Sequence, residues 1–237
     1  MQANLFSGPA ADLRAIHERL LGLFGPIRDA RRLGAVSQFV RSFIASRTHD
    51  RESWEAFMRL TRRFEDWDGL ADAPVAEIET LLRGVTHAEK KAPELKAALR
   101  MIRARAGSLD LDFLGNLPVE HGLRWLEAIH GVGREIAAAT LNFSSLRRRA
   151  VVVDTHVLRV LRRFGFVKPH AEAEEAYMAL LAAADGFDAD DLYELHWYLK
   201  RLGQRSCTHV RANCALCPLF DICLRRVEDG AAAGRAA

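Results

Sequence analysis

Apolar residues recur at helical spacing almost from one end of the chain to the other. Leu13, Ile16, Leu20 and Leu21 form one stripe, and Phe39, Phe43 and Ile44 form another within "VSQFVRSFIAS". The same period predicts helices over about 52–64, 75–83, 88–105, 119–129, 134–144, 155–164, 171–184 and 188–202, punctuated by Gly and Pro at "FGPI", "LRGV" and "GNLP". Strand signals are nearly absent. "AVVVD" (150–154) is β-branched but too short for periodicity to decide, and it reads as a buried connection. The pattern predicts an all-α protein.

The chain has 237 residues, 49% of them hydrophobic, enough for one or two compact domains. No repeat of fixed period is evident, and the low-complexity tail "EDGAAAGRAA" is expected to be disordered. The sequence opens on no charged-then-apolar signal, and no apolar run approaches the ~20 residues that span a bilayer. The expectation is a cytoplasmic protein with no membrane partner, nucleoid-associated in a bacterium.

A net charge of +3 does not by itself call for a polyanionic partner. The basic residues, however, are 29 Arg and only five Lys, with Arg clustered at Arg147, Arg148, Arg149 and at Arg159, Arg162, Arg163. The planar guanidinium makes bidentate phosphate contacts that Lys cannot. Solvated helix faces rich in Arg are the alternative reading of these clusters.

In "LRWLEAIHGVGREIAAATLNF", one apolar face (Leu123, Leu126, Ile129) is followed by another (Ile136, Ala137, Ala139, Leu141), with Gly131 and Gly133 between them. Glycines allow positive φ in a tight turn and leave its amides unshielded at the start of the next helix, a seat for phosphate. A plain αα-hairpin needing Gly only for the bend fits the same segment. In "VVVDTHVLRVLRRFG", an apolar run delivers Asp154 to the start of another helix, 19 residues after Glu135. There Asp154 is a good N-cap, and a carboxylate so placed can also orient a water and stabilise an oxocarbenium-like sugar cation.

All four cysteines fall within 17 residues, spaced Cys207-x6-Cys214-x2-Cys217-x5-Cys223. That reads as a metal site. Zinc modules usually bring two short knuckles together across a longer loop, whereas four thiols from one short segment with a single Cys-x2-Cys suit a [4Fe–4S] cube. Zinc and free buried thiols are the alternatives. Such a cluster can simply fasten the loop 207–223, with Arg211 and His209 projecting toward phosphate.

These residues resemble the endonuclease III branch of the helix-hairpin-helix, Gly/Pro-rich, Asp DNA glycosylase superfamily, from about residue 30 to Cys223. The resemblance rests on "HGVGRE", "VVVDTHVLRVLRRFG", "LHWYLKRLGQRSC" and the cysteine spacing. It implies two helical domains: a six-helix barrel at 28–147, and a second domain joining 1–27 to 148–237 and carrying the cluster. It implies a duplex with a damaged or mispaired base bound between them by a monomer, and a flipped target nucleotide. The hairpin (His130, Gly131, Val132, Gly133, Arg134) would meet backbone phosphates, as would Arg211. "ASRTHD" (45–50) resembles the segment that fills the gap left by the flipped nucleotide, with Arg47 at the plugging position or simply contacting a phosphate.

By the same resemblance Asp154 is the catalytic carboxylate. Bifunctional members place a Schiff-base lysine where this chain has Glu135, and none of Lys90, Lys91, Lys96, Lys168 or Lys200 lies at the hairpin. The expected activity is therefore monofunctional base release by an activated water. Glu135 would share that water, read the flipped base, or stand solvated in a first helical turn. Ser46, His49, Trp125, His130 and His196 are candidates to line the base pocket, each also explicable by packing. The competing readings are a non-catalytic binder of damaged DNA and a lyase acting through another amine such as Lys200.

Overall fold

The computed structural model describes residues 9–27 and 31–224. Among these it contains eleven α-helices and no named strand. They are α1 (Pro9–Phe24), α2 (Ala35–Ala45), α3 (Asp50–Arg63), α4 (Trp67–Asp72), α5 (Val75–Leu81), α6 (Ala88–Ala106), α7 (Val119–Glu127), α8 (Arg134–Phe143), α9 (Thr155–Phe164), α10 (Ala173–Ala183) and α11 (Ala189–Arg205). The expected periodic helices are present. Three short elements escaped the pattern, α4 and the 3₁₀ turns at Asp112–Asn116 and Cys214–Leu216, because one or two turns hold too few residues to show a period. No helix among the described residues is long and apolar enough to cross a membrane.

The chain divides into two compact units, one of residues 31–150 and one that joins the N-terminal segment to 151 onward. Both divisions fall three residues beyond the expected boundaries at 27/28 and 147/148; residues 28–30 and the tail 228–237 lie outside the described residues. In the 31–150 unit, α2 packs on α8, α3 and α6, and α8 on α7. Phe39, Phe43 and Ile44 are buried along α2, as their spacing requires of an inward face.

In the other unit, α11 packs on α9 and α1, and α10 on both α1 and α9. Leu13, Ile16, His17 and Leu20 form the buried face of α1. Polar contacts also lock α1 to α11. His17 Nε2 lies 3.4 Å from Glu194 Oε2, a side chain with no solvent exposure, and Glu194 Oε1 accepts from the Ile27 amide at 3.1 Å. Tyr198 donates its hydroxyl to the Gly25 carbonyl at 2.7 Å. Gly203 permits the close approach of α11 to α9: a Cβ there would sit 3.1 Å from His156 Cβ and 3.2 Å from the His156 carbonyl oxygen.

Candidate active site and thiol cluster

The run 150–153 enters as an extended, buried segment that forms no sheet, so the reading of "AVVVD" as a connection holds. His196 Nδ1 lies 3.1 Å from the Val152 carbonyl, fixing the run against α11. The run ends at Asp154, the N-cap of α9, whose Oδ1 accepts from the Val157 amide at 2.8 Å. A cap of this kind stabilises a helix by about 1 kcal/mol. Asp154 is 9% exposed, and its other oxygen, Oδ2, is 3.9 Å from Lys200 Nζ. Both side chains are largely shielded, and the Lys200 ammonium also stands 5.0 Å from the centre of the Trp197 ring.

Sequence reasoning placed Lys200 ahead of the thiols and gave it no neighbour. The i, i+4 pair His196 and Lys200 was the available signal: four residues of helix rise about 6 Å and two residues of extended chain about 6.6 Å, so the pair matches Val152 and Asp154 in register. What the sequence could not supply is the docking of that run along α11.

The α9 arginines serve the chain itself. Arg159 donates to the Cys207 carbonyl at 3.0 Å and the Gly203 carbonyl at 2.7 Å. Arg163 donates to the Thr208 carbonyl at 2.6 Å and the His209 carbonyl at 3.2 Å, and Arg162 to the Ala171 carbonyl at 2.7 Å. Burial lowers the pKa of Arg159, as does Arg163, against the charges of Cys207 and Asp154. From sequence this cluster was open between phosphate contacts and a solvated helix face; in the structure its guanidiniums donate to backbone carbonyls. Arg148 does likewise, bridging the carbonyls of Gly115 and Leu117.

Those arginine contacts hold the loop that carries the thiols. Cys207, Cys214, Cys217 and Cys223 form no disulfide, are half-buried, and line one cavity with Arg163 and Phe220. The Cys207 amide is fastened to the Leu202 carbonyl at the end of α11, and the Cys217 amide to the Cys214 carbonyl. Burial pushes the Cys217 thiol up, and Cys207 and Cys214 add to this, as expected where thiols converge without an ion.

This donor set fits a group held by four thiolates. Arg211 is exposed at the rim, its backbone closed on Thr208, and His209 is exposed beside it.

In the 31–150 unit, the turn between α7 and α8 is tight. Gly131 has φ +82°, and a Cβ on it would meet Phe43 at 3.4 Å. Val132 is buried as the anchor of the turn, while His130, Gly131 and Gly133 are exposed. Gly133 is the N-cap of α8 and, as a glycine, makes no side-chain cap hydrogen bond. Arg134 ion-pairs with Glu127 and, at 3.6 Å, with Glu120. Glu135 follows in the first turn, exposed. Asp154 and Glu135 therefore belong to different units.

The segment 45–50 carries Arg47, exposed and held at φ +55°, with Ser46 half-buried and His49 exposed. Its fastening is Lys91, on α6. The buried ammonium donates to the carbonyls of Ile44 and Ser46 and to Thr48 Oγ1, at 3.1 Å for Ile44 and 3.2 Å for Thr48. Desolvation pushes its pKa down to about 8, and Arg47 contributes, against the opposite effect of Glu94. Nothing in the sequence marked Lys91 for this. Two of the pocket candidates have packing roles: His196 binds Val152, and Trp125 lies edge-on to Phe113 with Arg105 4.4 Å above it.

Comparison with known proteins agrees with this geometry. Over 188 residues the chain is 30% identical to DEMETER-like protein 2 of Arabidopsis thaliana, a match covering 73% of this chain and 14% of that protein. It is 27% identical over 183 residues to endonuclease III-like protein 1 of Gallus gallus, covering 76% of this chain and 60% of that one. The chain thus spans less than two thirds of either relative. Its fold is similar to that of endonuclease III in a non-covalent DNA complex, with TM-score 0.76 and 18% identity over 91% of this chain and 95% of that one. It is also similar to a thermostable thymine-DNA glycosylase, with TM-score 0.70 and 14% identity over 92% and 95%. A family model described as HhH-GPD superfamily base excision DNA repair protein matches residues 40–183, a span that includes both the α7–α8 hairpin and Asp154, and the chain belongs to that superfamily.

Proposed function

We propose that the protein is a base excision repair DNA glycosylase that flips a damaged or mispaired nucleotide out of duplex DNA and hydrolyses its N-glycosidic bond with Asp154. The observation that carries this reading is the setting of that carboxylate. One oxygen is fixed by the Val157 amide at a helix N-terminus, and the other is turned toward a cation in a largely shielded setting. As the bond between C1′ and the base breaks, the electron pair leaves with the base and positive charge spreads over the sugar. The fixed carboxylate stabilises that charge, and a water adds its oxygen to C1′ and gives up a proton.

The hairpin supplies the means of holding DNA. The exposed Gly131–Gly133 turn leads into the N-terminus of α8, a setting suited to a backbone phosphate. Endonuclease III has been captured in both covalent and non-covalent complexes with DNA. Here the hairpin carries Glu135, which has no amine to attack the sugar, so base release is hydrolytic and does not require strand cleavage. The four thiols would hold a [4Fe–4S] cluster; the cavity they share and the single Cys-x2-Cys in their sequence spacing support it. When bound, the cluster would fasten the 207–223 loop, and no step of base release passes through it.

The test is a screen of labelled duplexes carrying uracil, oxidised pyrimidines, alkylated purines, deaminated purines or mismatches, each analysed with and without alkali. Cleavage that depends on alkali is expected on one lesion, together with at least a ~10³-fold loss of base release in Asp154→Asn. Asn keeps the N-cap acceptor and hence the helix while removing the charge. Base release unaffected by Asp154→Asn would remove the carboxylate from the reaction.

A further inference from the structure

Helices α1 and α11 meet at a cluster of titratable side chains that neither base release nor the thiol loop uses. His17 projects from the buried face of α1, and Asp191 and Glu194, three residues apart and so on one face of α11, come to meet it. One ligand atom from each of the three lies within 4.8 Å of the other two. We propose that His17, Asp191 and Glu194 bind a divalent transition-metal cation of the zinc type, and that the ion fastens α1 to α11.

The observation that points to a ligand is His17. It is 7% exposed, and its Nε2 is buried and makes no hydrogen bond, although Glu194 Oε2 stands 3.4 Å away. A buried polar atom left in that state is costly, and a Lewis acid shared with the carboxylate would satisfy it. The ring is held among Phe187, edge-on at 5.5 Å, and Tyr198 at 5.7 Å, so it has no route to water by a small rotation.

The donor set and its geometry suit the ion. Imidazole nitrogen and carboxylate oxygen bind zinc at about 2.0–2.2 Å, which sets tetrahedral ligand atoms roughly 3.4 Å apart. His17 and Glu194 already stand at that separation, and the half-buried Asp191 has at most ~1.4 Å to close, leaving the fourth position to water. Both carboxylates are oriented from behind: the Ile27 amide donates to Glu194 Oε1 at 3.1 Å, and the Asp188 amide to Asp191 Oδ2 at 3.0 Å. Charge favours a dication as well. The Glu194 side chain has no solvent exposure, and a proton on His17 would offset only one of the two carboxylate charges, whereas a divalent ion offsets both. Arg14, one turn earlier on α1, is exposed and lies over the Phe187 ring at 5.3 Å.

The experiment is equilibrium dialysis of full-length, anaerobically purified protein against micromolar free zinc, with zinc and iron per chain read by elemental analysis and thermal melting run with and without zinc. Wild type should take up one zinc without losing iron and melt at a higher temperature in its presence. Asp191→Asn keeps an oxygen for the Asp188 amide but loses the charge, and His17→Gln keeps a polar side chain but loses the imidazole. Each should bind zinc at least ~10-fold more weakly, with no zinc-dependent gain in melting temperature. If His17→Gln does not fold, Asp191→Asn decides alone, its residue being partly exposed. Folded wild type that takes up no zinc would show a buried imidazole–carboxylate pair and nothing more, and overturns the proposal. Zinc bound undiminished in both variants, or bound only as iron is lost, places the ion at the thiols and overturns it too.

Discussion

Lys91 should make the protein more stable as the pH rises above neutrality, and Lys91→Met should abolish that gain. The ammonium is buried on α6 against the carbonyls ending α2, and desolvation pushes its pKa from 10.5 down to about 8. For a cation whose folded-state pKa is lowered, the unfolded chain binds more protons between the two values. Stability therefore climbs as pH passes through about 8 and levels off above 10.5. The full difference is about 3 kcal/mol, at roughly 1.4 kcal/mol per pH unit, and about 2 kcal/mol of it accrues between pH ~7 and ~9.5. Urea unfolding followed by tryptophan fluorescence measures it, since Trp54, Trp67 and Trp125 all lie in the 31–150 unit with Lys91. Other titrating groups act equally on both proteins and cancel in the difference. A wild-type minus Lys91→Met gap that stays constant over this pH range would refute the burial argument. The same variant leaves the Ile44 and Ser46 carbonyls without their donor, so the arm carrying Arg47 should show faster amide hydrogen exchange.

Two further perturbations probe the thiol loop and the hairpin. Arg163→Ala removes the donors to the Thr208 and His209 carbonyls and the N–H 3.6 Å from Cys207 Sγ, so the purified variant should carry several-fold less iron per chain than wild type by elemental analysis. Unchanged iron content would show that the loop folds without that guanidinium. Glu135→Lys restores an amine at the first turn of α8 and should raise the yield of borohydride-trapped adduct on an abasic duplex several-fold over wild type; no increase would mean the hairpin presents position 135 away from the sugar.

The helices were legible because burial on one face imposes a period, and long runs such as α6, α9 and α11 hold enough turns to display it. Asp154 was legible because three local facts coincide there: a β-branched run, an acid, and the start of a strongly amphipathic helix. The thiols announced themselves by proximity in sequence. The arginines stayed open between phosphate contacts and a solvated face for a definite reason. Arg159 and Arg163 differ by four residues and so share a face of α9, but whether a face meets phosphate or a neighbouring loop's carbonyls is settled by tertiary packing. Lys91 was invisible on the same ground, since its partners are 43 to 47 residues away.

The placement of Lys200 beside Asp154 follows from how an extended run docks along a helix. An extended segment advances about 3.3 Å per residue and a helix 1.5 Å, so a strand-like run docked along a helix brings every second residue of the run opposite every fourth residue of the helix. Val152 meets His196 and Asp154 meets Lys200 in that register. Gly203, just beyond on α11, lets the two elements close to contact at His156. The side chain facing the carboxylate is therefore set by position 200, on a helix whose burial pattern is fixed by Leu195, Leu199 and Leu202 and places little constraint on the neighbouring residue.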